Sequence, residues 1–222
     1  MDSRNQEHRI AVISDTHNLL RPEVIEQLKT CEVILHGGDI SNQKILDTLM
    51  ELAPVHVVRG NNDKDWAEHL PVTLEFELFG RRFFMVHKKK EIPAELSADV
   101  VVYGHSHKYD FREQNGVLYL NPGSCGPRRL NQPITMAIVT ISDEGIQVEK
   151  IEIPHPDTAT KGLAKITVDV VGEVGVMIEK GKSTDAISKK LGLESELAEQ
   201  IVRMYVTHPG VTAEQVMTKL GL

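Results

Sequence analysis

The chain has 222 residues, 41% of them hydrophobic and 26% charged, with a formal net charge of −7 at pH 7. That composition is ordinary for a globular protein, and the acidic balance argues against a general nucleic-acid or anionic-membrane binder. Two cysteines cannot build a disulfide framework or a thiolate zinc site, Met1 to His8 is polar rather than signal-like, and no stretch approaches the roughly 20 apolar residues of a membrane span, so a reduced, cytoplasmic protein is expected.

Ile10 to Ile13 is an unbroken apolar run, as in a strand buried on both faces. It leads into Asp15 and His17, and strand side chains two residues apart project to one side. Alone, Asp-x-His is more often a polar strand end than half of a metal site. Leu20 to Thr30 reads as a helix, with Val24, Ile25 and Leu28 at helical spacing and Pro22 near its start. Val33 to Leu35 reads as a second strand running into His36-Gly37-Gly38-Asp39, where glycine lets the backbone turn sharply or approach a ligand. Ser41 to Leu52 reads as a helix capped by Ser41. Val55 to Val58 reads as a third strand, ending in Arg59-Gly60-Asn61-Asn62-Asp63. This alternation predicts a parallel sheet with right-handed crossovers and a site at the carboxyl ends of its strands.

The pattern then changes to a hairpin, Val72 to Phe79 and Arg82 to His87 around a turn at Gly80-Arg81, followed by Lys88-Lys89-Lys90. Val100 to Tyr103 leads into Gly104-His105-Ser106-His107. Gly116 to Leu120 is a further strand, closed by the loop Asn121 to Arg129. Ile134 to Ile141 and Ile146 to Ile153 form a hairpin around Asp143-Glu144-Gly145. Two sheets with helices outside are therefore expected over residues 1–153, then a linker over 154–160, then a small helical domain over 161–222. The charges of that tail balance. Asp185 to Leu193 and Glu214 to Leu222 echo one another, each a short helix after a polar cap (Ser183-Thr184 and Thr212) and closed by a glycine.

Asp15, His17, Asp39, Asn61, His87, His105 and His107 each fall at or just past the end of an apolar strand. One zinc needs about four ligands, so seven oxygen or nitrogen donors suggest two metals sharing a bridging carboxylate. With Asp39 as the bridge, one site takes Asp15, His17, Asp39 and His107, and the other Asp39, Asn61, His87 and His105. Mixed His and carboxylate ligation suits Mn2+, Fe, Zn or Ni better than Mg or Ca, and Mn2+ is the leading expectation. Among the other histidines, His8 reads as a solvated terminal residue. His36, His56 and His69 read as packing or surface residues, with His36 the best candidate to support Asp39, and His155 and His208 lie in loops. Cys125 reads as packing rather than as a nucleophile.

Asp15-x-His17, Gly38-Asp39, Gly60-Asn61 and Gly104-His105-x-His107, in that order, resemble the calcineurin-like metallophosphoesterase signature. Arg59 to Asp63 and Asn121-Pro122-Gly123-Ser124 further resemble its small bacterial and archaeal phosphodiesterase branch, to which a retromer subunit of the same fold is related. The resemblance covers about residues 9 to 153. It implies an α/β fold, a four-layer α/β/β/α sandwich with the small all-α domain appended, and phosphodiester hydrolysis by a metal-bridging hydroxide with Asp39, Asn61 and Asn62 at the reacting centre. Two departures stand out. Larger members carry a leaving-group histidine where Asn62 stands, so esters with good leaving groups are expected to be preferred. The family often has Gly-His after the histidine matched by His87, and here Lys88 follows, a cation placed to attract an anionic substrate. The expected partners are a small phosphate ester and a second copy bound through the tail. The competing classes are a protein-binding scaffold of the retromer-subunit type and a helix-turn-helix tail that reads nucleic acid, which the balanced charge disfavours.

Overall fold

The computed structural model describes residues 7–128, 132–154, 166–193 and 195–220. In chain order its elements are β1 (His8–Ile13), α1 (Pro22–Leu28), β2 (Val33–His36), α2 (Gln43–Leu52), β3 (Val55–Val57), β4 (Thr73–Leu78), β5 (Arg81–Val86), β6 (Val100–Val102), β7 (Tyr109–Gln114), β8 (Val117–Pro122), β9 (Thr135–Ser142) and β10 (Gly145–Glu152), then α3 (Val168–Glu179), α4 (Thr184–Leu191), α5 (Ser195–Thr207) and α6 (Ala213–Leu220). They fall into two compact units, one running through Pro154 and one holding the later helices. All of the expected linker except Pro154 lies outside the described residues.

The first unit holds two mixed five-stranded sheets. One has the order β10-β9-β1-β2-β3, with β1, β2 and β3 parallel and β9 antiparallel to β1. The other has the order β4-β5-β6-β8-β7, with β5, β6 and β8 parallel. The apolar run of β1 is explained by its two buried faces. Ile10 and Val12 pack between the sheets with Leu35, Phe83, Met85, Val100, Val102 and Leu120. Ala11 and Ile13 pack the other way, against Val24 and Leu28 of α1 and Leu49 of α2. Each such buried Val, Leu, Ile or Phe contributes about 1.5–3 kcal/mol of transfer free energy. The outer face of the second sheet, formed by Phe84, Val86, Val101 and Tyr103, lies under Ile92 and Leu96. That fourth layer is a 3-10 turn (Lys89–Glu91) with irregular chain, thinner than the helical layer on the other side.

Several local expectations are corrected. The hairpin turn is Phe79-Gly80, both at positive φ (51° and 70°), and Arg81 already belongs to β5. Asn42 rather than Ser41 caps α2, its side chain accepting from the Ile45 N–H at 3.1 Å. His8 is not a solvated end: its ring stacks on Phe79 at 3.8 Å, and its Nδ1 lies 3.2 Å from Glu32. Strand β7 was not anticipated. It is a largely exposed edge strand paired with β8 through Asn115-Gly116.

The second unit is all-α. Its core joins Val171 and Val174 of α3, Ile187 of α4, Leu197 and Ile201 of α5, and Val216 of α6. Ser183 caps α4, which ends at Gly192 in the left-handed conformation, as the echo predicts. Thr212 and Gln215 form a reciprocal capping box at the start of α6. The glycine expected to close α6 lies outside the described residues.

Candidate metal centre

Six of the seven expected ligands gather into two clusters. Asp15, His17 and His107 form one, and Asp39, His87 and His105 the other, each with its donor atoms within 4.8 Å of one another. The parallel strands make this possible. The loops that follow β1, β2, β5 and β6 leave their sheets at the same end and are stitched together by backbone bonds: Asp15 N–H to Gly38 O at 2.9 Å, His17 N–H to Asp39 O at 3.0 Å and Gly104 N–H to His87 O at 3.0 Å.

Asp39 lies between the clusters. Its Oδ2 is 3.8 Å from His17 Nε2 and its Oδ1 is 3.4 Å from His87 Nε2. In the first cluster His107 Nε2 is 3.2 Å from Asp15 Oδ1 and 3.1 Å from His17 Nε2. The carboxylates are kept ionised. Burial pushes Asp15 and Asp39 up, but the close approach and charge of the neighbouring histidines, His107 and His87 respectively, outweigh it, and both titrate below the usual carboxylate range. Burial pulls His87 down, and Asp39 more than restores it.

The side chains are aimed by supporting bonds. Asp15 Oδ2 accepts from Ser14 Oγ at 2.6 Å and from the His105 N–H at 3.0 Å, which leaves Oδ1 facing the cluster. Gly37 O lies 2.7 Å from His87 Nδ1, so in the neutral ring Nδ1 donates and Nε2 offers its lone pair to the centre. His36 is buried and joins the loops after β1 and β2. Its Nδ1 accepts from the Gly38 N–H at 3.1 Å, and Nε2 then donates to Thr16 Oγ1 at 3.1 Å. Burial holds its pKa down to about 4, partly countered by the charge of Asp63, so it is neutral near pH 7. Asn121 Nδ2 donates to Gly104 O and Ser106 Oγ, bracing the loop that carries His105 and His107.

Backbone conformation is part of the design. Asp15, His17, Asp39, His105 and His107 all sit at positive φ, between 43° and 71°. Residues with a Cβ rarely adopt this region, and each costs on the order of 1 kcal/mol or more. Two glycines allow the close approach: a Cβ at Gly60 would lie 2.1 Å from Asp39 Oδ1, and one at Gly104 would lie 2.0 Å from Ser14 Oγ.

The third loop differs from expectation in detail. Asn61 is exposed, and it is Asn62 that reaches Asp39, its backbone N–H donating to Oδ1 at 2.8 Å and its Nδ2 to Oδ2 at 2.8 Å. Asp63, for which the sequence suggests no role, is buried and accepts four backbone N–H bonds from this loop and its neighbour. Its signal was its place at the end of Gly60-Asn61-Asn62-Asp63, and no spacing rule reveals its partners. His56 packs on Phe76 with ring centroids 4.0 Å apart, and His69 and His208 are exposed. Burial pushes the Cys125 thiol up to about 12, so it carries no thiolate near pH 7. Of the lysine run, Lys89 is held by Asp110 at 3.0 Å. Lys88 is half-buried, and its charge acts on His105 in the same direction as burial and His87, all lowering its pKa.

The donor set fits divalent cations. Asp15 Oδ1 and His87 Nε2 are buried and make no hydrogen bond in the structure. A buried carboxylate oxygen and a buried ring nitrogen left without hydrogen bonds, inside a ring of imidazoles and carboxylates, call for a cation. No described helix is long and apolar enough to cross a membrane.

Comparison with known proteins agrees. The sequence profile of the calcineurin-like phosphoesterase superfamily domain matches residues 9–144. A probable metallophosphoesterase of Methanothermobacter thermautotrophicus is 35% identical over 162 residues, covering 66% of this chain and 94% of that protein. A solved archaeal phosphodiesterase is 26% identical with a TM-score of 0.53, covering 65% of this chain and 99% of the other. Vps29 of Entamoeba histolytica, at 24% identity and a TM-score of 0.52 over 66% of this chain and 99% of its own, shares the fold. By sequence, sheet architecture and donor set, this chain belongs to the calcineurin-like phosphoesterase superfamily, whose members are metal-dependent phosphoric ester hydrolases.

Proposed function

We propose that the chain hydrolyses a phosphodiester at a dimetal centre bridged by Asp39, with Asp15, His17 and His107 completing one site and Asn61, His87 and His105 the other. The observation that carries this reading is the position of Asp39, one oxygen toward each cluster. Two divalent cations bound there, Mn2+ foremost with Fe, Ni and Zn as alternatives, would supply an activated water for in-line attack on phosphorus and offset the developing charge. The protein's own contribution is orientation. Ser14 and the His105 N–H turn Asp15, Gly37 O sets the His87 tautomer, and Asn62 holds both oxygens of Asp39. Asn61 is exposed, one residue before the Asn62 that holds Asp39, and would have to turn its amide toward the second cluster to ligate. His105 is the exposed member of its cluster and marks the side from which substrate enters, with the charge of Lys88 near it to attract an anionic substrate. Asn62 is no proton donor, so the leaving group departs with little side-chain protonation there.

Residues 1–153 are proposed as the catalytic domain and 161–222 as a separate helical domain that favours self-association, in a reducing cytoplasm where Cys31 and Cys125, both buried, stay free thiols. The test is turnover of a panel of phosphodiesters and monoesters by metal-stripped protein with each divalent metal added back. Restoration of diester cleavage by Mn2+ is expected. No turnover of any phosphate ester with any metal would overturn the reading.

A further inference from the structure

Asp63 lies two residues beyond Asn61 and is not itself a ligand candidate. It is buried, and its carboxylate is saturated by backbone. Oδ2 accepts from the Asp39 N–H at 2.9 Å and the Gly60 N–H at 2.8 Å, and Oδ1 from the Ile40 N–H at 2.8 Å and the Ser41 N–H at 2.7 Å. Three of these donors belong to the loop after β2 and one to the loop after β3. Four converging N–H groups, two at each oxygen, call for a side chain that only accepts, because an amide would turn its NH2 against two of them.

The same three-residue stretch of the β2 loop contains two strained positions. Asp39 and Ser41 sit at φ 59° and 82°, and neither is glycine. A strained backbone persists only where its surroundings over-determine it. Asp63 supplies that restraint, since it holds the N–H of both strained residues and of Ile40 between them. The adjacent Asn62 then grips the Asp39 carboxylate from the same loop, N–H to Oδ1 and Nδ2 to Oδ2. Gly60 completes the contact, its missing Cβ being the space that Asp39 Oδ1 occupies.

We propose that Asp63 is a positioning residue of the metal centre: by tying the β2 and β3 loops together it fixes the Asp39 carboxylate in the orientation that lets one oxygen face each cluster, and so sets whether two cations bind as a coupled pair. The inference rests on the dimetal reading. It extends that reading by moving the control of bridging from the ligand to a carboxylate that touches neither cation nor substrate.

The experiment uses full-length, metal-stripped wild type, Asp63→Asn and Asp63→Glu. Each is titrated with Mn2+ by calorimetry, examined by electron paramagnetic resonance for the exchange-coupled signal of two Mn2+ sharing a ligand, and melted without metal. Wild type should bind two equivalents with the coupled signal. Asp63→Asn should bind Mn2+ about 10–100-fold more weakly, the range for residues that orient ligands, and lose the coupled signal. Asp63→Glu keeps the charge but moves the acceptors by one methylene, and should show a smaller loss of the same kind. It decides the matter if Asp63→Asn does not fold. A lowered melting temperature with wild-type affinity and an intact coupled signal in the folded variants would make Asp63 merely structural and overturn the proposal. Failure of wild type itself to bind a coupled pair would overturn the dimetal reading and this inference with it.

Discussion

Asp39 meets a histidine through each of its oxygens, so its replacement tests both halves of the centre at once. Asp39→Asn leaves one oxygen able to ligate and replaces the other with an amide nitrogen that offers no lone pair to a cation. It should lower turnover by about 100-fold or more and reduce bound metal below two equivalents, read by elemental analysis of the purified variant. Full metal content with normal turnover would end the bridging assignment. Asn62 bears on a different step. Because its amide is engaged with Asp39 and donates no proton to substrate, aryl diesters should be cut faster than alkyl ones, and a rate independent of leaving-group pKa would point to another donor. Lys88→Ala should raise KM by about 3–10-fold with kcat little changed, as expected when a charge attracts substrate without touching the reacting atoms. The six clustered donors were legible in sequence because they are rare chemical types at the ends of apolar runs. Asp63 and Asn121 were not, because their partners include backbone groups of distant loops, as in Asn121 to Gly104 O and Asp63 to the Asp39 N–H, and backbone contacts leave no residue pattern.

The loops work because the elements feeding them are rigid and end together. β1 is buried on both faces, which is why it reads as Ile-Ala-Val-Ile, and its apolar run could be recognised at once. β7 shows the opposite case. Tyr-Asp-Phe-Arg-Glu-Gln is an exposed edge with no apolar alternation, and the usable signal was Asn115-Gly116, which forms the tight turn to β8 with both residues at positive φ. The cap of α2 was misplaced by one residue because Ser41 is a good cap by type, but its backbone is spent on the Asp63 contact and the left-handed turn. Asn42→Ala should therefore cost about 1 kcal/mol in denaturant unfolding, and Ser41→Ala should leave the cap intact. Gly60→Ala should behave differently from either. Its Cβ would drive into Asp39, so metal affinity should fall by more than the change in apo stability predicts, a comparison made by pairing Mn2+ titration with apo unfolding.

Across the whole chain, the two units each close their own core. Among the described residues, the apolar clusters of the first draw on residues up to Ile153, and that of the second on residues from Ile166 onward. Every donor in the two metal clusters belongs to the first unit, while His208 is exposed between α5 and α6, its Nδ1 2.9 Å from Thr207 Oγ1. A helical unit of some 60 residues is near the lower limit for an independent core and gains stability by association. Its sequence showed helices and caps clearly, because Ser183 and Thr212 act locally, but self-association is a property of surfaces, and those carry no comparable pattern. Truncation after Thr160 should then leave two equivalents of metal and small-diester turnover within about twofold of the full chain, since no ligand and no core residue of the first unit is removed. It should also shift the particle seen by sedimentation toward the monomer. Loss of metal from a folded truncated protein would show that the helical unit supports the centre. Unchanged sedimentation would remove self-association as its role. Tight, steeply salt-dependent binding of DNA by the full chain, lost on truncation, would return the tail to nucleic-acid recognition despite its balanced charge.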